Sequence, residues 1–505
     1  LFLPADLLVR EAARLTGAEA ELFEPALGQL AEAGEVAVEE RPGAAAVYLP
    51  ELLEAEREVA GRVLALAQGG FEGAFGADQA RACVAGVSGM GGVELSDEQV
   101  AAACSALTER ITVITGGPGT GKTTLTRVLV QACMALGRRV ALAAPTGRAA
   151  KRMGELAGHE ASTIHRLLAY DPFRGGFTFH ESRPLDLDTL IIDESSMVDL
   201  PLARDLLRAL SRTGQVIFIG DADQLPSVGP GNFFRDLVSS RVVPVHRLTY
   251  IFRQAQRSLI VENAHRLIAG EKPILVTWKE RSSEDCLFIH SRDPERAADV
   301  VIRAVTREIP RLGHRPEHIQ VITPMHRGAL GVTELNVRLQ EALNPPDPRK
   351  AQLSVGRHIL RAGDRVLQTV NNYDKLVFNG EIGRVASISV EARTAVVAFD
   401  DLDVTYEYSE LDQLQLAYAM TIHKSQGSEY PVAVIVIHST HYIMLRRNLL
   451  YTALTRAEEL ALIVGNSAGV MRAAQNAEEM RRHTRLAERL RGEAPLAGPR
   501  EQPDE

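Results

Sequence analysis

The stretch from Ile111 to Thr124 reads ITVITGGPGTGKTT: a short apolar run, a glycine-rich loop, then a lysine and two threonines. From Gly116 to Thr123 it matches G-x-x-x-x-G-K-[ST]. A loop of Gly117, Pro118, Gly119, Thr120 and Gly121 lets backbone N–H groups converge on phosphate oxygens with no side chain in the way. The helix expected from Lys122 onward presents the positive end of its dipole to the same anion. Lys122 is placed to neutralise the β- and γ-phosphates, the Thr123 hydroxyl to hold Mg²⁺, and Thr124 to line the site. A nucleoside triphosphate is therefore the expected ligand. A second stretch, TLIIDESS from Thr189 to Ser196, ends an apolar strand in two adjacent carboxylates. Asp193 suits the shared Mg²⁺, and Glu194 suits orienting and polarising an attacking water. Such a pair at a strand end is costly unless a cation neutralises it. A third, QVIFIGDADQLPSVGPG, supplies Gln224 as a γ-phosphate sensor and Asn232 as a substrate contact.

Other side chains surround these. Gln99 either closes a capping box with Ser96 or reads the edge of adenine through its amide, and the position just upstream of the loop favours the base contact. Thr146 and Arg148, in APTGRAAKRM, follow a strand and suit a phosphodiester backbone at the carboxyl edge of a parallel sheet. Thr163 and His165, in STIHRLL, are further candidates for nucleic-acid contact. Residues 169–186 read as a β-hairpin with Gly175-Gly176 at its tip. Phe173, Phe177 and Phe179 flank that turn, either as exposed rings that stack on bases and separate strands or as the hairpin's own small core.

The elements that must position this chemistry alternate strand and helix, the pattern of parallel sheets with crossover helices. Residues 1–67 read as helix, helix, hairpin around Pro42-Gly43, a winged-helix-like module. Residues 69–92, rich in glycine, read as a linker or loosely ordered joint. Residues 353–410 carry short strand patterns with turns at Gly363-Asp364, Asn379-Gly380 and Asp400-Asp401. Beyond Gly492 the chain is polar and proline-containing, composition that favours disorder.

At 505 residues the chain exceeds one core and divides into several domains. No apolar run reaches membrane-spanning length and no signal peptide is visible, so a cytoplasmic bacterial protein is expected. The start at Leu1 rather than Met points to a fragment. Four scattered cysteines form no Cys-x-x-Cys pair and read as reduced thiols. The net charge of −9 lies in residues 1–60, which hold 13 acidic and 4 basic residues; the rest carries 52 of each sign. A neutral body still accommodates a basic groove, and Arg138 to Arg166 leans basic. The acidic N-terminal module suits protein contact or packing better than DNA.

GGPGTGKTT, APTGRAAKRM, STIHRLL, LIIDESSMVD, GDADQLPSVGPG, YIFRQ, TPMHRGALGVTELNVRLQEALNP, AGDRVLQTVNNYDKLVFNGEIG, AYAMTIHKSQGSEY and NLLYTALTRA stand in one order over residues 95–465. In these motifs the chain resembles the RecD-like 5′→3′ DNA helicases of superfamily 1, most of all the stand-alone type outside the RecBCD complex. The resemblance implies an α/β architecture of two RecA-like P-loop domains. A β-hairpin is inserted in the first, an SH3-like β-barrel in the second, and a small helical, winged-helix-like domain precedes them. The expected limits are 1–92 for the N-terminal domain and linker, 93–243 and 244–470 for the RecA-like domains, and 471–505 for a C-terminal helix and tail. It implies that Arg253 and Arg456 reach the γ-phosphate from the second domain, and that Gly427 and Glu429 stand on the nucleotide side. It further implies that Thr323, His326, Thr421, His423 and Ser425 contact the DNA backbone. The expected function is a monomeric, ATP- and Mg²⁺-dependent helicase acting on single-stranded DNA and junctions in repair or recombination. The rivals are the motor part of a conjugative relaxase, an ATP-gated DNA clamp and an RNA helicase; Asp193-Glu194-Ser195-Ser196 and the wider resemblance favour DNA.

Overall fold

In the computed structural model, residues 1–70, 76–171, 175–252, 255–279, 283–356, 358–372, 374–400, 402–477 and 482–496 are described. Two parallel sheets dominate them. The first has the strand order Val245–Leu248, Ile111–Gly116, Gln215–Gly220, Thr189–Ile192, Val140–Ala144, Ala161–Thr163, all pairs parallel. The strands Ile111–Gly116 and Gln215–Gly220 are buried along their whole length, which explains their near-continuous apolar runs. Helices pack on both faces, and the loops carrying Lys122, Thr146 and Asp193 leave the carboxyl ends of strands in this sheet, where open α/β sheets place ligands. The second sheet runs Cys286–His290, Ala457–Gly465, Tyr430–Ile437, Ile319–Thr323, Ala419–Thr421, again parallel.

Between Ile319–Thr323 and Ala419–Thr421 lies a five-stranded antiparallel sheet. It closes around Val366, Val385, Val397 and Tyr406, which form a small core of their own, as the barrel expectation required. At the N-terminus, helices Ala5–Thr16 and Phe23–Glu32 pack beside a three-stranded antiparallel sheet. Its middle strand, Ala46–Tyr48, pairs with both Ala37–Glu39 and Phe2–Pro4.

Three boundaries differ from expectation. Pro50–Gln68 is one long helix whose Ala55, Val59, Ala60, Val63 and Leu66 belong to the core of the first parallel-sheet domain. Within the supposed linker, Ala77–Met90 is a helix that buries Ala80, Val84 and Val87 beside helix Lys122–Ala135. Its apolar face supplies what its glycines cost in helix propensity, about 1 kcal/mol each relative to alanine. The disorder expected beyond Gly492 does not begin there: Ala494 is buried, just after helix Leu486–Leu490, whose Leu486 and Leu490 join the first domain's core. The hairpin expected at 169–186 is present as two short strands, Tyr170–Asp171 and Gly176–Phe177.

Candidate nucleotide cleft and nucleic-acid groove

The two parallel-sheet domains face each other across a cleft of about 780 Å³. On one wall, strand Ile111–Gly116 ends in the phosphate-type loop, whose Gly119 and Gly121 both take φ of 75°. A Cβ on Gly121 would lie 2.5 Å from Gln99 Nε2, so only glycine lets the loop close there. The Thr120 hydroxyl donates to the Gly117 carbonyl at 2.8 Å. The Lys122 ammonium donates to the Gly116 and Gly117 carbonyls at 2.6 and 3.0 Å. Pro118, Thr123 and Thr124 line the same wall.

Gln99 departs from its favoured reading. It is fully buried; its Nε2 donates to the Thr120 and Gly121 carbonyls, both at 3.2 Å, and its Oε1 accepts the Ser96 N–H. Both its donors serve the loop backbone and its oxygen serves the capping box, leaving no donor for a base edge.

Asp193 and Glu194 follow strand Thr189–Ile192 into the cleft. Glu194 holds a left-handed backbone, φ 49°, and its N–H donates to the Asp193 carboxylate at 2.7 Å. Burial raises the pKa of Asp193 and pushes that of Glu194 up to about 7; the Arg456 charge opposes the second shift and the Asp193 charge adds to it. Arg456 stands on the opposite wall, 1% exposed. Its guanidinium is held by the Thr452 and Ser428 carbonyls and the Thr455 hydroxyl at 3.1 Å each. Arg253 lies outside the described residues. Its neighbour Phe252 covers the loop, and a Cβ on Gly121 would sit 3.0 Å from that ring.

Gln224 lines the cleft as well, donating to Asp221 at 3.2 Å while its buried Oε1 has no partner among the described residues. Gly427 and Glu429 are also on the cleft. Glu429, however, pairs with Arg152 of the first domain, which also meets Glu458 at 3.3 Å. Arg152 and Tyr451 had drawn no assignment. Tyr451 donates to the buried Asp221 at 2.5 Å across the domain boundary, and Leu225 N–H donates to the Thr452 hydroxyl at 3.0 Å. These pairs join positions more than 200 residues apart, so no local pattern could have announced them.

A second opening of about 290 Å³ lies on the other side of the same interface. Thr146, Arg148, Thr163 and His165 reach it from the first domain, His423 and Lys424 from the second, and Asn371, Phe378 and Glu381 from the barrel. Thr146 and Thr163 also cap their helices, accepting the Ala149 and Arg166 N–H groups. Arg148 lies over the Tyr430 ring, 5.6 Å from its centroid. Burial lowers the pKa of both His165 and His423, so the rings enter the groove neutral. His326 is exposed close to His423.

Several expected contacts are placed elsewhere. Thr323 is fully buried and its hydroxyl donates to the Leu330 carbonyl at 2.7 Å. Ser425, equally buried, donates to the Ile422 carbonyl. Thr421 is buried and accepts the Lys424 N–H at 3.2 Å. These three shape the loops that carry His326 and His423 rather than facing the groove. Asn232 lines an adjoining cavity. Phe177 and Phe179 do not project as a wedge. Both pack on the first domain's core, Phe177 edge-on to Tyr170 at 5.3 Å and Phe179 beneath Arg183 at 5.5 Å. Phe173 lies outside the described residues.

Known proteins match this layout. Residues 94–284 match the AAA domain, residues 335–399 the ATP-dependent RecD-like DNA helicase SH3 domain, and residues 416–464 the UvrD-like helicase C-terminal domain. The ATP-dependent RecD2 DNA helicase of Deinococcus radiodurans is 38% identical over 450 residues, covering 89% of this chain; the chain spans 59% of that relative's length. The RecBCD enzyme subunit RecD of Mycolicibacterium smegmatis is 32% identical over 432 residues, 78% of this chain and 75% of that one. A crystal structure of Pif1 helicase from Bacteroides in complex with ADP-AlF3 and ssDNA is 22% identical with a TM-score of 0.47, covering 77% of this chain and 95% of that one. Two parallel-sheet domains facing across a phosphate-loop cleft, an SH3-type barrel inserted in the second, and this extent of identity lead to one assignment: the chain belongs to the RecD-like helicase family.

Proposed function

We propose that the chain is an ATP-dependent DNA helicase that moves 5′→3′ along single-stranded DNA and separates the duplex ahead of it. One observation carries the reading: the nucleotide cleft and the groove share their walls. Gly427 lines the cleft and Thr146 lines the groove, and a Cβ on Gly427 would lie only 2.9 Å from the Thr146 hydroxyl. A change in cleft width therefore moves the groove.

The residues fit a Mg²⁺-bound triphosphate. The glycine loop leaves room only for backbone donors, and the buried Asp193–Glu194 pair calls for a neighbouring cation. Lys122 and the start of helix Lys122–Ala135 bind the phosphates, while Thr123 and Asp193 hold Mg²⁺, which supplies charge neutralisation. Glu194 orients the water. Arg456, with Arg253 from outside the described residues, offsets charge that develops at the γ-phosphate when the walls approach. Thr146 and Arg148 grip the strand from one domain, His326 and His423 from the other, so alternate closure and opening carries it along. No helix among the described residues is long and apolar enough to cross a membrane. A monomer working in the bacterial cytoplasm, in repair or recombination, completes the reading; polarity rests on the family.

Duplexes with a 5′ or a 3′ single-stranded tail, incubated with ATP and Mg²⁺, test it by strand separation. Separation from the 5′-tailed duplex alone is expected, and Lys122→Ala should abolish it together with ATP hydrolysis. Separation from 3′ tails alone overturns the polarity, and hydrolysis without separation overturns the helicase in favour of a clamp.

A further inference from the structure

Beside the groove, and continuous with it through Ser227, Val228 and His423, lies a cavity of about 240 Å³. Arg235, Arg446 and Arg482 line it together with His423, Asn232 and Asn448, and among the described residues no carboxylate does. In a chain of net charge −9, three arginines around one cavity with no carboxylate among its described lining residues mark a place suited to an anion. The backbone adds to this. Asn232 stands at the N-terminus of helix Phe233–Ser240 and Arg446 at that of helix Arg447–Leu454, so two positive helix ends converge on the cavity. The domains contribute one helix each.

Arg482 and Arg446 are held differently. Arg482 is committed to the first domain, its guanidinium donating to the Gly229 and Gly231 carbonyls at 2.5 and 2.7 Å and to the Ser227 carbonyl. It holds the loop that forms one rim. Arg446, from the second domain, makes no side-chain hydrogen bond or ion pair among the described residues. Asn448, two residues on, has a buried Oδ1 with no partner among them. Val228, 82% exposed, stands between groove and cavity where a single strand would pass from one to the other.

We propose that this cavity binds a phosphate group, namely a backbone phosphate of the single strand next in line from the groove, with Arg446 as its second-domain ligand. The inference rests on the DNA reading above and adds a second hold shared by both domains. Because Gln224 lines this cavity and the nucleotide cleft alike, a phosphate leaving the cleft after hydrolysis is the other source of the same chemistry.

The test uses the full chain and a fluorescein-labelled oligothymidylate, with anisotropy titrations over a series of salt concentrations. Arg446→Ala and Arg446→Glu should weaken binding about tenfold or more, since a lost charged hydrogen bond is worth roughly 1.5–3 kcal/mol. The slope of log affinity against log salt should become shallower by about 0.7, the value of one single-strand phosphate contact. Melting curves of both variants establish that they fold, and Arg446→Lys should restore part of the slope. A variant slope equal to the parent's overturns the DNA assignment. The second arm follows inhibition of ATP hydrolysis by inorganic phosphate: an unchanged slope with weakened phosphate inhibition transfers the site to the leaving phosphate. Failure of the parent chain to bind the oligonucleotide would sink the helicase reading itself, a result distinct from failure of the variants.

Discussion

Gln99 shows how one buried amide supports the glycine-rich loop through backbone contacts alone. Its two N–H groups fasten the Thr120 and Gly121 carbonyls, and its oxygen caps helix Asp97–Thr108. Removing it strands two buried acceptors beside the phosphate-binding backbone, a cost of about 1–3 kcal/mol. Gln99→Ala should therefore raise KM for ATP and GTP by the same factor in steady-state hydrolysis. A loss confined to ATP would restore the base-reading role. Its residue type and place upstream of the loop were legible, but both expected roles use the same amide atoms. Which one those atoms serve depends on the distance to Thr120 and Gly121, a tertiary quantity. Thr323, Thr421 and Ser425 make the same point: a hydroxyl at a strand end points to backbone or to ligand according to packing that composition does not encode.

At the scale of elements, the barrel does more than hang from the second domain. Asp400 pairs with Lys151 at 3.6 Å, and the Glu381 carboxylate lies against Gly147, where a Cβ would sit 2.7 Å from its Oε1. The barrel thus roofs the groove onto the first domain. Burial pushes the Glu381 carboxyl up to about 7 against the pull of the Phe378 N–H, and Asp400 adds to the rise. Well below pH 7 the neutral form prevails, and well above it the carboxylate places a negative charge on the groove wall. Glu381→Gln should tighten single-strand binding at pH 8 and change it little at pH 6, measured by anisotropy at constant ionic strength. Equal effects at both pH values would remove Glu381 from the groove's electrostatics. The barrel's short strands and turn pairs were legible in the sequence, and its SH3-like form came from the resemblance. Its contact with Gly147 was not, because the partner lies more than 200 residues away. Helix Ala77–Met90 was hidden differently: its glycines outweighed the i, i+4, i+7 spacing of Ala80, Val84 and Val87.

Across the whole molecule, two sets of long-range contacts tie the parts together. The returning C-terminal segment brings Arg485 and Arg489 to Glu39 of the N-terminal module and Arg489 to Glu56 of helix Pro50–Gln68, pairs of 2.6 to 2.9 Å. Arg489 is fully buried, and its loss leaves two buried carboxylates underpaired. Arg489→Ala should destabilise the chain by about 3–5 kcal/mol, read from denaturant unfolding; a cost under 1 kcal/mol would show that the segment docks without these pairs. The second set joins the two parallel-sheet domains through Tyr451–Asp221 and Leu225–Thr452. Tyr451→Phe keeps the ring but removes the donor. It should reduce the stimulation of ATP hydrolysis by single-stranded DNA more than it raises KM for ATP, and an unaltered stimulation would exclude this contact from coupling.

The chain's own order of residues determined the phosphate loop, the carboxylate pair, the alternation of strand and helix, and the short strands and turns of the insert. Each depends on neighbours within a few positions, through backbone geometry or hydrophobic periodicity. Tertiary structure alone decided that Glu429 pairs with Arg152, that Gln99 serves the loop, that Phe177 and Phe179 pack inward, and that residues 482–496 return to the first domain. A side chain's partner is whatever the fold brings within about 3 Å, and that distance bears no relation to separation along the chain.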